Sequence, residues 1–178
     1  MTRGTTVWLT GLSGSGKSTI AESVKSILVQ RGVRSVVLDG DDLRAGLNSD
    51  LGMTMSDRDE NVRRISEVAV LFCREGYVCI VAAISPLAEA RSRARALIEG
   101  SGHTFLEIHV DTPLDVCRSR DVKGLYRRAA SGEIRDFTGL DSPYESPSAP
   151  DLVVRGDGPD VAEIATKVVT LVSIGDGS

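Results

Sequence analysis

Gly-Leu-Ser-Gly-Ser-Gly-Lys-Ser at residues 11–18 is the stretch that decides the fold of this chain. It fits the pattern G-x-x-x-x-G-K-[ST], the phosphate-binding loop of nucleotide-handling proteins. Because glycine lacks a Cβ atom, the loop can curl with its N–H groups pointing inward and form a nest for phosphate oxygens. The helix that follows adds the positive end of its dipole. The stretch therefore predicts a nucleotide phosphate site.

The loop assigns separate tasks to its last two residues. Lys17 is expected to reach the β- and γ-phosphates, and the hydroxyl of Ser18 to ligate Mg²⁺. The alternative is a glycine-rich turn that fits by chance. Both flanks argue against it, because residues 5–10 are β-rich and apolar residues recur at helical spacing after the loop. The expected nucleotide contacts are Gly11, Ser13, Gly14, Ser15, Gly16, Lys17, Ser18 and Thr19.

Composition narrows the class of protein. The 178 residues are the usual size of one domain, and 41% of them are apolar, enough to bury a core. A formal net charge of -4 provides no global basic field to recruit nucleic acid. No apolar run approaches the ~20 residues of a membrane span. An odd count of three cysteines, and a start that leaves no room for a targeting segment before the first strand, favour a cytoplasmic protein.

Strand-like and helix-like segments alternate along the chain. Strands are predicted at residues 5–10, 35–38, 77–84, 105–110 and 152–154, and helices after the loop and at 56–75, 86–98, 113–118 and 161–174. Ser56 or Asp57 is expected to cap the long helix, and Asp111 or Thr112 the helix at 113–118. The alternation predicts an α/β, three-layer P-loop kinase fold. We expect a mostly parallel five-stranded sheet with helices on both faces, in a single domain over residues 1–178.

One segment breaks this rhythm. Residues 121–150, here called the lid segment, are rich in charge, glycine, serine and proline and contain few apolar residues. A long irregular stretch in a compact domain is usually functional or disordered. Its cations include Lys123, Arg127, Arg128 and Arg135. We expect a mobile basic lid that closes over the nucleotide and excludes water; a solvated surface loop is the alternative.

A second group of polar residues, Asp-Gly-Asp-Asp at 39–42, directly follows the second predicted strand. In a doubly wound sheet, ligands bind at the carboxyl ends of the strands. One carboxylate could hold Mg²⁺ through its water shell, and another could accept the proton of an attacking hydroxyl. The simpler interpretation is an acidic turn that caps a helix beginning near Leu43, which is compatible with catalysis. Of Arg44, Arg58, Arg63 and Arg64, spacing alone assigns one to a ligand.

Further motifs extend beyond the loop. They include Leu-Asp-Gly-Asp at 38–41, Glu-Asn-Val-Arg-Arg at 60–64, Ile-Ser-Pro at 84–86, Lys-Gly-Leu-Tyr at 123–126 and Phe-Thr-Gly at 137–139. On these motifs the chain resembles the adenylyl-sulfate kinase family over about residues 5–155. The phosphate loop is shared by many unrelated proteins, whereas the later motifs in this order are far more selective.

The resemblance implies a reaction: the γ-phosphoryl group of MgATP moves to the 3′-hydroxyl of adenosine 5′-phosphosulfate (APS), giving 3′-phospho-APS (PAPS) and ADP in sulfate assimilation. It implies Lys17, Asp41 and Lys123 as catalytic, with Asp41 accepting or orienting the proton, and Ser18 and Asp39 at the metal. It also implies a homodimer and a possible ATP sulfurylase partner. The implied substrate contacts are Asp39, Asp41, Arg44, Met53, Arg58, Asn61, Ile84, Ser85, Lys123 and Phe137.

Two residues deserve comment within the resemblance. Ser85 matches a serine assigned as a phosphoserine intermediate in some members, but direct in-line transfer needs no such intermediate. Met53 stands where the family usually has an aromatic that helps to sandwich the APS adenine, and a flexible Met cannot stack face to face. We therefore expect weaker APS binding or looser purine selectivity. Further departures that make the site less favourable to this anion are Asp42, Leu87, Ala88 and Asp136.

Two other functions stay open at this point. One is a P-loop kinase for another small hydroxyl substrate, such as a nucleoside or a sugar acid. The other is a nucleotide-binding partner subunit of a sulfate-activating complex. The intact set of polar residues argues against an inactive subunit, namely Lys17, Ser18, Asp39, Asp41 and Lys123.

Overall fold

The sheet is the frame of the molecule. The computed structural model describes residues 4–121, 123–158 and 160–172. Within them, five strands form one sheet in the order β2-β3-β1-β4-β5, and every pairing between neighbouring strands is parallel. The central strand β1 pairs Val7 with Ile80 on one side and with Leu106 on the other. The strands are β1 Thr5–Thr10, β2 Ser35–Asp39, β3 Val78–Ala82, β4 Thr104–Val110 and β5 Leu152–Val154.

Helices cover both faces of this sheet. Alternate residues of a strand point to opposite faces, and β1 follows that rule. Val7 packs with α1 and α7 on one face, whereas Trp8 packs with α3 and α4 on the other. The predicted three-layer α/β fold is therefore confirmed. The helices are α1 Lys17–Gln30, α2 Gly40–Ala45, α3 Met55–Arg74, α4 Ala88–Gly100, α5 Leu114–Arg120, α6 Leu125–Ala130 and α7 Val161–Leu171. Across the described parts of the chain, none of these helices has the length and apolar character needed to cross a membrane.

Both predicted helix caps need correction. Thr54 caps α3, because its hydroxyl accepts from the N–H of Asp57 while the Asp57 carboxylate accepts from the N–H of Thr54. Asp57 thus belongs to a capping box without being the N-cap, and Ser56 is not a cap. Neither Asp111 nor Thr112 caps α5, which follows Pro113 with no side-chain cap. The hydroxyl of Thr112 instead donates to the carbonyl of Ser15 at 2.8 Å.

Several boundaries also differ from the predictions. The central strand β3 ends at Ala82, two residues before the predicted end, so that Ile84 and the residues after it enter the cleft as irregular backbone. The helix predicted near Leu43 begins earlier, at Gly40. The lid segment is not entirely irregular, since it contains α6. The last helix is described to Leu171, and the predicted extension to 174, like the ends of the predicted domain, lies partly outside the described residues.

A small third cluster joins the lid segment to the rest of the fold. Tyr126 and Phe137 pack edge to face, with ring centroids 4.9 Å apart, against the buried Cys117. The hydroxyl of Tyr126 also donates to the carbonyl of Ser13 at 2.8 Å. The lid segment is therefore fastened directly to the loop at residues 11–18.

Candidate active site

The phosphate loop has the backbone that its sequence predicts. Gly14 (φ 76°) and Gly16 (φ 103°) adopt left-handed conformations that side chains disfavour. Gly11 has a packing role, because a Cβ atom there would lie 2.5 Å from the carbonyl oxygen of Val110. Ser15 is fully buried under the loop. Gly11 and Ser15 therefore shape the loop without lining the cavity; the loop residues that do line it are Ser13, Gly14, Gly16, Lys17, Ser18 and Thr19.

Lys17 lies folded against its own loop. It is 8% exposed, and its Nζ donates to the carbonyls of Gly11 at 2.9 Å and Leu12 at 2.7 Å. Burial lowers the pKa of Lys17 to about 8, and the negative charge of Asp41 opposes this shift only in part. An ammonium held out of water gains a great deal from an anionic partner. The geometry is therefore suited to a phosphate ligand.

Ser18, in the first turn of α1, and Asp39, at the end of β2, bring two oxygen atoms together. The hydroxyl of Ser18 donates to Oδ2 of Asp39 at 2.5 Å, and Oδ1 of Asp39 accepts from the N–H of Asp41 at 2.9 Å. Asp39 is thus also the N-cap of α2, as the simpler interpretation of this acidic turn expected. No cluster of three or more acidic, His or Cys ligands occurs in the described ranges. Two protein oxygens fit Mg²⁺, which keeps several waters and takes phosphate oxygens as ligands.

Asp41 connects the end of β2 to the lid segment. Its carboxylate forms an ion pair with the ammonium of Lys123, and both side chains are largely exposed. Both residues line the same cavity as Lys17 and Ser18. The structure therefore brings together the three residues expected to be catalytic.

The far end of the cavity is basic and polar. Arg58 is 5% exposed, and its guanidinium donates to the carbonyls of Met53 and Asp136, while burial lowers its pKa. Arg44 donates to the carbonyl of Gly52 at 2.9 Å. Buried arginine is costly without anionic partners, so this end favours an anionic ligand. Every substrate contact expected here lines the cavity: Arg44, Met53, Arg58, Asn61, Ile84, Ser85 and Phe137.

The remaining arginines of this region do not face the cavity. Arg63 and Arg64 pair with Glu60, and Arg64 also pairs with Asp50, on the outer surface. Two of the four arginines, Arg44 and Arg58, therefore line the cavity, whereas spacing alone assigned one of the four to a ligand.

Ser85 has a strained backbone conformation, and its hydroxyl is already engaged in two hydrogen bonds. Its φ of 46° lies in the left-handed region, which is rare for a residue with a side chain. Its Oγ accepts from the indole N–H of Trp8 at 2.9 Å and donates to the carbonyl of Ala83 at 3.2 Å. The residue is 3% exposed. This geometry supports a structural use of the hydroxyl, in line with the expectation that Ser85 is not a covalent intermediate.

Sequence reasoning missed two residues that support the site. Asn48 is fully buried, and its amide donates to Oδ1 of Asn61 at 2.9 Å. Tyr126 lines the cavity and holds the loop through Ser13. Tyr126 ends the matched motif Lys-Gly-Leu-Tyr, and Asn48 ends the stretch Gly-Leu-Asn at 46–48, which also matches the family, but the partners of both residues are set by the tertiary fold.

A single cavity of about 460 Å³ runs between the two ends. It is lined by the phosphate loop, by the buried Arg58 and by the ion pair of Asp41 with Lys123. A parallel sheet with this loop after β1 and a carboxylate after β2 defines a P-loop phosphotransferase.

A family model described as adenylylsulphate kinase matches residues 3–155. The chain belongs to this family. It is 51% identical over 163 residues to the adenylyl-sulfate kinase of Saccharomyces cerevisiae, covering 92% of this chain and 81% of that protein. It is 52% identical over 169 residues to the bifunctional enzyme CysN/CysC of Mycobacterium tuberculosis, covering 95% of this chain but only 27% of that longer protein.

Among solved structures, the M. tuberculosis APS kinase CysC in complex with AMPPNP and APS is very similar. The TM-score is 0.93 with 51% sequence identity, and the match covers 96% of this chain and 98% of that chain.

Proposed function

We propose that this protein transfers the γ-phosphoryl group of MgATP to the 3′-hydroxyl of APS, giving ADP and PAPS. The observation that carries the proposal is the single cavity with two unlike ends. Its phosphate loop accepts a triphosphate, and its arginine-containing end accepts a second anionic nucleotide, so the two reactants meet end to end. The family match and the neighbouring structure with AMPPNP and APS support the same pairing of ligands.

At the donor end, the protein binds and neutralises the triphosphate. The loop N–H groups and the Lys17 ammonium bind the phosphate oxygens, and the low pKa of Lys17 is raised again when an anion replaces the lost solvation. Ser18 and Asp39 would hold Mg²⁺, which when bound cancels charge on the β- and γ-phosphate oxygens.

At the acceptor end, the protein aligns one hydroxyl and then removes its proton. Asp41 orients the 3′-hydroxyl and accepts its proton as the new bond to phosphorus forms. Arg44 and Arg58 bind the phosphosulfate, and Met53 and Phe137 flank the purine. Lys123, which is paired with Asp41, is close enough to compensate the charge that develops on the transferred group.

The lid segment completes the site in this proposal. Its first part is fastened to the loop by Tyr126, and the carboxylate of Asp121 accepts from the N–H groups of Tyr126 and Arg127 at the start of α6. Movement of the basic residues between this anchor and Phe137 would close the cavity over both nucleotides. Closure matters because water would otherwise compete with APS for the phosphoryl group.

A coupled assay of ADP release tests the proposal. The purified chain is given MgATP with APS or with a panel of nucleosides and sugar acids. We expect turnover with APS well above that with the other acceptors, and a product phosphorylated at the 3′ position. Preference for another acceptor would instead indicate a different P-loop kinase. ATP binding without turnover of any acceptor would indicate a nucleotide-binding subunit.

The assembly state and location are part of the same proposal. We expect a cytoplasmic homodimer that associates with ATP sulfurylase, which would supply APS directly. The bifunctional relative supports such an association, because the matching segment there is part of a longer enzyme. Light scattering of the purified chain, alone and with ATP sulfurylase, tests both assemblies.

A further inference from the structure

Arg91, on α4, lies behind the candidate active site and contacts two segments that form it. Its Nη1 donates to the carbonyl of Ser85 at 2.7 Å, and its Nη2 donates to the carbonyl of Glu145 at 2.7 Å. Its Nε donates to Oε1 of Glu107 at 2.7 Å. The side chains of Arg91 and Glu107 are 3% and 12% exposed. We call these four residues the Arg91 clamp.

One arm of the clamp holds strained backbone. A non-glycine residue with a φ of 46° persists only where its surroundings fix it, and such residues concentrate at functional sites. Trp8 holds the side chain of Ser85, and Thr10 donates to the carbonyl of Ile84 at 2.6 Å. Arg91 makes the short contact to the carbonyl of Ser85 itself. The wall of the cavity at Ile84 and Ser85 is therefore set from behind by buried donors.

The other arm holds the C-terminal end of the lid segment. The N–H of Glu145 donates to the carbonyl of Pro86 at 2.9 Å, and its carboxylate accepts from the N–H of Ala88 at 2.7 Å. The hydroxyl of Tyr144 lies 3.0 Å from Oγ1 of Thr10. Glu145 is thus fixed to the same loop that carries Ser85, at the start of α4, and Tyr144 lies against the end of β1. One guanidinium joins the cavity wall to Glu145, near the C-terminal end of the lid segment.

The position of Ser85 in the sheet indicates which substrate the clamp serves. Ser85 follows β3, which lies between β1 and β2, and it lines the cavity with Arg58 and Asn61. The phosphate loop lies on the opposite side of β1 from β3, because Gly16 approaches Arg120 and Gly156 near the ends of α5 and β5. The clamp therefore acts on the acceptor end.

We infer that Arg91 is a positioning residue for the acceptor nucleotide: it fixes the Ser85 wall relative to the end of the lid segment and does not touch substrate. The inference rests on the proposed function, since it concerns APS as the acceptor. It predicts that damage to the clamp weakens use of APS while leaving use of ATP nearly unchanged.

Arg91→Lys is the first variant. It keeps a positive charge beside Glu107, but one ammonium cannot reproduce the planar fork that spans the carbonyls of Ser85 and Glu145. We expect the Michaelis constant for APS to rise about fivefold and that for ATP to stay within about twofold. Calorimetric titration of APS in the presence of MgADP should show a matching loss of affinity. Arg93→Lys is the matched control, because Arg93 lies on the same helix and pairs with Glu89 and Asp59, outside the clamp.

A second variant covers the case in which Arg91→Lys unfolds or keeps its contacts. Arg91→Met combined with Glu107→Gln removes the buried cation together with its counterion, so no unpaired charge remains. Here the APS constant should rise more than about tenfold. Equal changes in the APS and ATP constants, or an unchanged APS constant in the folded double variant, would overturn the clamp. Failure of the unmodified protein to phosphorylate APS would instead overturn the proposed function.

Discussion

The two ends of the cavity are built in opposite ways. The donor end is one contiguous loop, residues 11–18, with a single lysine, and in the proposed function this loop binds the phosphates. The acceptor end is assembled from side chains of α2, α3, the loop after β3 and the lid segment, with Arg58 and Asn61 buried among them. A local loop depends on its own sequence, whereas an assembled wall depends on buried partners such as Arg91 and Asn48.

This difference teaches where change is tolerated. A substitution at the donor end should remove a function shared by all nucleotide kinases, and its effect should be large. A substitution at the acceptor end should alter the strength or the selectivity of APS use by smaller steps. The following variants test this division, beginning with the largest effect.

Lys17→Ala should lower turnover by at least about a thousandfold, because no other group replaces its charge on the β- and γ-phosphates. The coupled ADP assay measures the loss, and circular dichroism should show that the fold is retained. Lys25→Ala, on the same helix but away from the cavity, is the control and should keep near-normal activity. Near-normal turnover of Lys17→Ala would refute the assigned phosphate contact.

Asp41→Asn should lower kcat by about a hundredfold or more while changing the Michaelis constant for ATP only a few-fold. The amide keeps the shape of the carboxylate but cannot accept the proton of the hydroxyl. Asp115→Asn, the control, makes the same change at an exposed residue of α5 that does not line the cavity. Equal losses of turnover and of ATP binding would mean that Asp41 mainly maintains the local structure or binds the metal ion.

Burial of the Lys17 ammonium costs more free energy than its hydrogen bonds return. Lys17→Met should therefore make the protein without nucleotide more stable at pH 7, by about 2 kcal/mol. The folded pKa of about 8 is below the ordinary lysine value of 10.5, so between these values the unfolded chain binds more protons. Stability of the unmodified protein should therefore rise as pH increases from 8 to 10.5, and Lys17→Met should lack this rise. Urea unfolding at pH 7 and pH 10 measures both; a less stable variant at pH 7 would contradict the burial penalty.

Met53→Phe should lower the Michaelis constant for APS by about threefold, because an aromatic ring can stack on the purine face to face. The constant for ATP should not change. Leu47→Phe adds the same ring at an exposed position outside the cavity and serves as the control. No improvement with Met53→Phe would remove Met53 from the proposed purine contact.

The sequence was sufficient for the fold and for the donor end. The phosphate loop is local, so the left-handed Gly14 and Gly16 follow from the pattern and its flanks. Ser15 was expected as a nucleotide contact, but it is buried and does not line the cavity. The strand and helix alternation is equally local; boundaries moved, and α6 inside the lid segment was not predicted. Thr54 was missed as the cap of α3 although Thr-x-x-Asp is a readable signal, because Ser56 and Asp57 lay closer to the predicted start.

The acceptor end could be predicted only as a set of motif positions. Tyr126 and Ser13 are separated by 113 positions, and Arg91 and Glu145 by 54, so no local pattern pairs them. The strained backbone of Ser85 could not be predicted either, because Ile-Ser-Pro contains no glycine that would indicate a positive φ. Thr112 was predicted as a cap, yet tertiary packing directs its hydroxyl to Ser15. Long-range contacts of this kind decide which polar residue does what.

The bond from Trp8 to Ser85 has a practical consequence. Trp8 is the single tryptophan of the chain, it is fully buried, and its ring stacks on Phe105. Its indole N–H donates to the hydroxyl of Ser85, which lines the acceptor end of the cavity. The protein thus carries an intrinsic fluorophore at the place where the second nucleotide is expected. Its emission offers an optical, label-free signal for events at that end of the cavity, separate from any measurement of turnover.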